Sequence, residues 1–337
     1  MLVQALADIG MPTDVAATYV QTRAGWRSFD DLWVRWGDTA AIKAEAVLHV
    51  RGTPGTAEDI YATIGPGPTT LTALREALYR SQRFVRTSRQ SWGLHIWGLD
   101  EYDGIAEEIG NLIDSAGGQM NVDELIRDLR ARFPDVAESS IKVTLNTLAF
   151  VANGHMVRRR HETDEWPKVA PLRTVRGAFL NGRNEIRWAT TATSEVLRGS
   201  GRPIHPAVST ALGVGPGQRR AFSSAYGPLE VAWRLSSTQG PSIGSVRVLA
   251  EDVGAGPADT LVLVFNLDEG SLHATKIGAD VAGLTRLRRL LGRSVRTPAA
   301  ALAASLDCKP ADAAAVLRKR GDDDLADLVD DSMPSAR

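Results

Sequence analysis

The chain has 337 residues, 43% of them apolar and 23% charged, with a formal net charge of −1. That length holds two to four ordinary domains with cores of their own. The single cysteine, Cys308, excludes an intramolecular disulfide and a cysteine-rich zinc site, and no run of about 18 apolar residues is present to span a membrane. The N-terminal stretch has no basic segment followed by a long apolar run, so a cytoplasmic location is expected. The overall charge hides an asymmetry: residues 1–150 carry 14 basic and 20 acidic side chains, residues 151–250 carry 14 and 6, and residues 251–337 carry 11 and 14. The middle block, at +8, is where a polyanion would be held. Arginine outnumbers lysine 33 to 6, which favours bidentate contacts to phosphate or guanine and is also what a GC-rich genome produces without selection.

In chain order, residues 1–38 read as three short helices: Val3 to Ile9, Asp14 to Gln21, and Ser28 to Trp36 with Ser28 as N-cap. Residues 39–98 give an amphipathic helix (Ala40 to Val50), a second helix capped by Thr56 and ending at Ile64, a Gly-Pro-Gly-Pro turn, and a third helix from Thr69 to Arg80. The apolar spacing then changes from every three or four residues to every two, through Phe84 and Val85 and on to Trp92, Leu94 and Ile96. Helix, helix, turn, helix, hairpin is the order of a winged helix. Residues 99–165 repeat it: a helix from Tyr102 to Ala116, one from Val122 to Arg132 capped by Asn121, one from Glu138 to Ala149, and a hairpin from Phe150-Val151 through Gly154 to the basic run Arg158, Arg159, Arg160. The acidity of Asp100 to Asp114 fits a protein-docking version of this fold, the alternative to DNA binding for the pair.

The stretch Arg83 to Gly98, RFVRTSRQSWGLHIWG, resembles the wing of the HARE-type winged helices and of sigma-factor-like helix-turn-helix proteins of high-GC bacteria, over about 60 residues. Residues 166–183 read as a linker or a loose strand joining domains. From Asn184 to residue 282 the texture is short strands, Ile186 to Ala192, Arg219 to Phe222, Leu229 to Arg234, Thr260 to Phe265 and Leu272 to Ile277, interrupted by helices Pro206 to Leu212 and Ser242 to Asp252. The order of the His205-Pro206 helix, the strand ending at Trp233 and the Ala258-Asp259 strand resembles the B-three pseudobarrel DNA-binding domain. That family carries Leu-Pro and Gly-Asp at the first and last of these places. The first half alone also resembles AbrB-like swapped hairpins. Residues 283–337 read as a C-terminal helical module, opened by a basic helix and closed by the acidic Asp322, Asp323 and Asp324, which favours a protein partner.

The expected fold is therefore α+β and multidomain: N-terminal helices, two tandem winged helices, a small β pseudobarrel and a helical C-terminal module. The pseudobarrel resemblance puts DNA-facing loops at Arg198, Ser200 and Arg202, and at Arg234, Ser237, Thr238 and Gln239, with Arg219 and Arg220 adjoining. In the helical repeats the candidates are Thr70, Arg75, Arg86 and Arg89, then Ser140, Lys142, Asn146, Arg158, Arg159 and Arg160; arginines and hydroxyls suit phosphates and base edges. No phosphate-loop motif occurs, the six histidines never pair at i, i+4, and Cys308 has no histidine near it. Pro134-Asp135 with Glu138 and Lys142 lacks nuclease spacing. The reading is a non-enzymatic, cofactor-free, nucleoid-associated protein that binds double-stranded DNA as a regulator or as the recognition part of a restriction or phage-defence system. The alternative is a scaffold whose winged helices bind a partner such as RNA polymerase or a separate nuclease chain.

Overall fold

The computed structural model describes residues 2–22, 25–30, 32–99 and 101–332. It divides into two compact units, Met1–Leu145 with Phe150–Arg159, and Asn146–Ala149 with Arg160–Arg337. Asp100, at the head of the expected acidic stretch, and residues 333–337 lie outside the described residues. No helix of the described residues is long and apolar enough to cross a membrane.

The first unit opens with α1 (Leu2–Asp8) and α2 (Thr13–Gln21). The expected third helix is instead a hairpin, β1 (Trp26–Phe29) against β2 (Leu32–Arg35), with Phe29 opposite Leu32 and Asp30 at φ 49°. The aromatic and branched residues of Trp26, Phe29, Leu32 and Val34 suit a pleated surface, and an aspartate tolerates the left-handed turn position, so strand geometry wins over the helical spacing.

Two successive subdomains follow with one topology. The first is α3 (Ala40–Arg51), β3 (Gly55–Thr56), α4 (Ala57–Ile64), α5 (Leu71–Arg80), β4 (Phe84–Arg86) and β5 (Ser91–Leu94), with strand order β3-β5-β4. The second is α6 (Ile105–Ser115), β6 (Met120–Asn121), α7 (Val122–Arg132), α8 (Glu138–Leu145), β7 (Phe150–Asn153) and β8 (Met156–Arg159), with order β6-β8-β7. The helix starts are set locally. Thr56 and Asp59 form a reciprocal capping box on α4, Thr70 accepts from the Ala73 N–H, and the Asn121 carbonyl accepts from the N–H groups of Asp123 and Glu124. Thr69, expected inside α5, is buried ahead of it and accepts from Lys43 Nζ at 3.1 Å. The expected strand through Ile96 stops at Leu94, and His95–Trp97 form a 3-10 turn. Leu48, Ile60, Leu74, Leu78 and Leu94 make the core of the first subdomain; Ile109, Ile113, Leu125, Leu129 and Ile141 are the fully buried residues of the second.

The second unit is built on an eight-stranded sheet. Its elements are β9 (Ala178–Asn181), β10 (Glu185–Thr191), α9 (Ser194–Arg198), β11 (Arg202–Pro203), α10 (Pro206–Ala211), β12 (Arg219–Ser224), β13 (Gly227–Ala232), β14 (Ser242–Ile243), α11 (Arg247–Asp252), β15 (Thr260–Asn266) and β16 (Ser271–Ile277), then α12 (Gly283–Leu291), α13 (Pro298–Leu306), α14 (Ala313–Arg320) and α15 (Asp323–Ser332). The sheet order is β11-β14-β13-β12-β16-β15-β10-β9. Three differences from expectation matter. The segment read as a linker or loose strand supplies β9, an edge strand of the sheet; the helix expected from Ser242 begins at Arg247, its first residues being strand; and α9, β11 and β14 were not foreseen.

The sheet curls so far that its ends meet. Arg202 on the first strand in this order lies 5.0 Å from the ring centre of Trp188 on the seventh. Ile186, Leu261, Leu263 and Phe265 share one core with Val231, Trp233, Ile243 and the helices α10 and α11. The opposite face is covered by the C-terminal helices: Phe179, Val262, Val264 and Ile277 pack with Leu287, Leu290, Leu302, Leu317 and Val329. The expected separate C-terminal module is therefore one layer of this unit. With both faces covered, β15 reads as an unbroken apolar run, Leu261 to Phe265, where a half-solvated strand would alternate.

Ala258 has φ 71°. The adjoining Asp259 accepts from the N–H groups of Gly256 and Ala279, and the Gly256 bond leads in holding its carboxyl below the ordinary value. A side chain with Cβ in the left-handed region costs about 1–2 kcal/mol. Ala258→Gly is accordingly expected to raise the unfolding free energy by about 1 kcal/mol, read from chemical denaturation, even though glycine usually weakens a folded chain.

Candidate nucleic-acid interface

The basic middle block is where a polyanion contact was expected, and the structure sorts its guanidinium groups into bound and free. Arg187 of β10 is buried; its Nε donates to the Leu290 carbonyl at 2.6 Å and its Nη2 to that of Arg289 at 3.3 Å, so a cation closes the negative C-terminal end of α12. Arg220 donates from Nη1 to the Leu212 carbonyl at 3.0 Å and from Nη2 to that of Leu267 at 2.6 Å, lying 4.8 Å from the Phe222 ring centre. Arg160 donates to the carbonyls of Leu148 and Glu165 and lies over Trp166. Arg187 also pairs with Glu185 through Nη1 at 3.1 Å, whereas the carbonyls that hold Arg220 and Arg160 satisfy their donors without cancelling the charge, so these two groups still contribute to the field but are not free to grip a phosphate.

Arg202, expected in a DNA-facing loop, is turned against Trp188 with Nε and Nη1 buried and without a hydrogen-bond partner among the described residues. Burial lowers the pKa of its guanidinium. Its role is closure of the sheet. In the helical repeats the expected contacts are also engaged. Arg75 pairs with Glu58, lowering the Glu58 pKa through that hydrogen bond; Lys142 pairs with Glu138 at 2.6 Å; Arg159 pairs with Asp114 at 2.9 Å and Glu107 at 3.1 Å; and Arg158 donates to the Arg159 carbonyl. Arg86 donates to the Arg89 carbonyl at 2.5 Å and lies 5.3 Å from the Tyr102 ring centre. Next to it, Ser88 Oγ donates to Asp135 at 2.7 Å, so the tip of the first hairpin is docked on the turn before α8. Of that hairpin's two expected contacts, Arg89 is the exposed one, and its side chain has no partner among the described residues. The hydroxyl of Thr70 caps α5, and the carbonyl of half-buried Ser140 accepts from Thr144 Oγ1.

The two loops expected to face DNA together do not adjoin. Arg202 pairs with Ile243 and Pro203 with Ser242, and the Ile204 N–H donates to the Pro241 carbonyl. This antiparallel register sends 198–201 off one end of a two-residue ladder and 234–240 off the other. Arg198 and Ser200 are exposed on the first side.

On the second side the structure gathers a set that sequence reasoning only partly foresaw. Arg234, Thr238 and Gln239 are exposed in the loop, while Ser237 Oγ is spent on the Gly240 carbonyl at 2.6 Å. Arg219, 79% exposed, reaches only Glu230 at 3.8 Å. Arg183, in the β9–β10 turn, joins the same edge through Asn184, whose carbonyl accepts from the Leu267 N–H while the Leu267 carbonyl holds Arg220. Its signal in the sequence was the Asn-Gly-Arg-Asn turn at 181–184, obscured by the linker reading. Asn146, assigned from sequence to the recognition helix, belongs instead to a segment whose Ala149 N–H donates to the Leu235 carbonyl at 3.0 Å, beside this loop. Thr147, its neighbour, is buried. Among the described residues Arg183 and Arg234 have no internal ion pair or hydrogen bond through their side chains. The acids of the edge, Asp268 and Glu269, are hydrogen-bonded to Asn184 and Ser271.

Among the described residues no three His, Cys, Asp or Glu side chains converge in a metal-binding group. Burial raises the pKa of Cys308, which disfavours the thiolate. A scan against protein-family models and a search of curated proteins each find no match to this chain.

Proposed function

We propose that the chain is a non-enzymatic, modular double-stranded DNA-binding protein, with two tandem winged helices in its first unit and a B-three-like pseudobarrel in its second. It would serve as a transcriptional regulator or as the recognition component of a restriction or phage-defence assembly. The observation that supports DNA contact best is the edge carrying Arg183, Arg219 and Arg234 with Thr238, Gln239 and Asn146. Exposed guanidinium groups, of which only that of Arg219 has an ion-pair partner among the described residues, beside amide and hydroxyl side chains suit phosphates and base edges, and they lie in a unit whose field is reinforced by arginines held on carbonyls. Binding of the full chain to a mixed-sequence duplex, titrated from 50 to 300 mM salt, is expected to weaken linearly in log K against log salt. No binding at the lowest salt would overturn the reading.

A second reading applies to the first unit alone. Its expected DNA contacts are largely paired with its own acids, while Tyr79 on α5, Val143 on α8 and Ile96 after β5 are exposed. That favours a protein partner for the winged helices. Arg75→Ala and Lys142→Ala should then leave the affinity for duplex within about twofold, a change below 0.5 kcal/mol.

A further inference from the structure

A cleft of about 540 Å³ opens in the second unit where β9 begins, between β10, α12 and the start of α15. Its strand wall has an unpaired edge. The Ala189 N–H donates to the Gly177 carbonyl and the Ala192 N–H to that of Asp259, so successive residues of β10 alternate between β9 and β15. By that alternation the N–H and C=O of Thr191 face the side where β9 has not yet begun, because the Val175 N–H is turned away to the Leu172 carbonyl. Gly177, at φ 70°, makes the corner: a Cβ there would lie 2.7 Å from the Ala189 carbonyl oxygen.

The charges around this edge are of both signs. Arg286 stands against Thr260, its Nη1 3.4 Å from Oγ1, and Arg176 is 77% exposed, its Nε 3.9 Å from an Asp322 oxygen. Opposite them is the start of α15: Asp324, 3.3 Å from Arg286 Nε, and Asp323, exposed and without an ion-pair or hydrogen-bond partner among the described residues. Asp322 is not available, being held by Arg320 at 2.6 Å and by the Gly177 N–H at 3.1 Å. An anion would meet the carboxylates of Asp323 and Asp324, and a cation would meet the two guanidinium groups.

We propose that this cleft binds a short peptide with free ends, of dipeptide size. One peptide group would pair with the N–H and C=O of Thr191 as an added strand does, the carboxylate would lie on Arg286 and Arg176, and the ammonium on Asp323 and Asp324. Two residues span about 7 Å in extended form, which the cleft accommodates. The site does not depend on DNA binding, so each can fail alone.

The test uses the full chain, calorimetry and thermal unfolding with a panel of glycyl and alanyl dipeptides, the same dipeptides N-acetylated or C-amidated, free amino acids, and neutral disaccharides. Free dipeptides are expected to bind and raise the melting temperature, and each capped form to bind roughly tenfold or more weakly, the loss of one charge-assisted contact. Asp323→Asn, at an exposed position with no internal partner, and Arg286→Met should each weaken binding by a similar factor. The assignment is overturned if no dipeptide binds, if capped forms or disaccharides bind as well as free dipeptides, or if neither variant changes the affinity.

Discussion

Asp322→Ala is expected to lower the stability of the second unit by about 3–5 kcal/mol, the usual cost of leaving a buried charge without its partner. Arg320 has a side chain only 1% exposed; it donates to the Ala178 carbonyl at 2.8 Å, lies 4.7 Å from the Phe179 ring centre, and has the Asp322 carboxylate at 2.6 Å as its counter-charge. Desolvation lowers the Arg320 pKa, and Asp322 works against it. The same carboxylate accepts from the Gly177 N–H, so the substitution also orphans a buried backbone donor at the corner where β9 begins. Hydrogen exchange should show the loss first in β9, β10 and α15. A double change, Arg320→Met with Asp322→Asn, removes both charges and should recover a good part of the stability. If Asp322→Ala leaves the protection of β9 and β10 unchanged, the pair is not what locks the C-terminal helices to the sheet.

The second large effect is on DNA. Arg183→Ala, Arg219→Ala and Arg234→Ala combined should flatten the slope of log K against log salt by about 3, roughly one unit for each phosphate contact removed. The folded state should be little affected, since Arg183 and Arg234 have no side-chain partner among the described residues and Arg219 has only a distant, exposed one. Arg198→Ala separately reports on the opposite end of the β11–β14 ladder. Arg202→Ala is expected to act differently, loosening the closure on Trp188 and lowering the melting temperature. An unchanged slope in the triple variant would remove this edge from the interface and return attention to Arg89.

The helical repeats were the most legible part of the chain because their determinants are local. Thr56 with Asp59, Thr70 and Asn121 mark helix starts within three residues of the groups they cap, and the change of apolar period after Arg80 marks the hairpin. The failures have equally specific causes. Trp26 to Val34 fits both a helical stripe and a pleated strand, and pairing across Asp30 decides for the strand. β11 and β14 are two residues each, too short to carry a period, and exist because each supplies the other's ladder. β9 sits among prolines and a glycine and is a strand only because β10 pairs with it.

The roles of the arginines show the same division more sharply. That positive charge gathers between residues 151 and 250 follows from composition alone, because net charge is a sum and needs no coordinates. Which of those charges are available depends on pairing between residues far apart in the chain. Arg187 finds its carbonyl 103 residues away and Arg220 finds one 47 residues away, whereas Arg183 and Arg234 have none among the described residues. A guanidinium group carries five donors, and burial forces them onto whatever acceptor the fold brings near. The arginines left over at the edge, and the unpaired strand end at Thr191, are what long-range pairing did not consume.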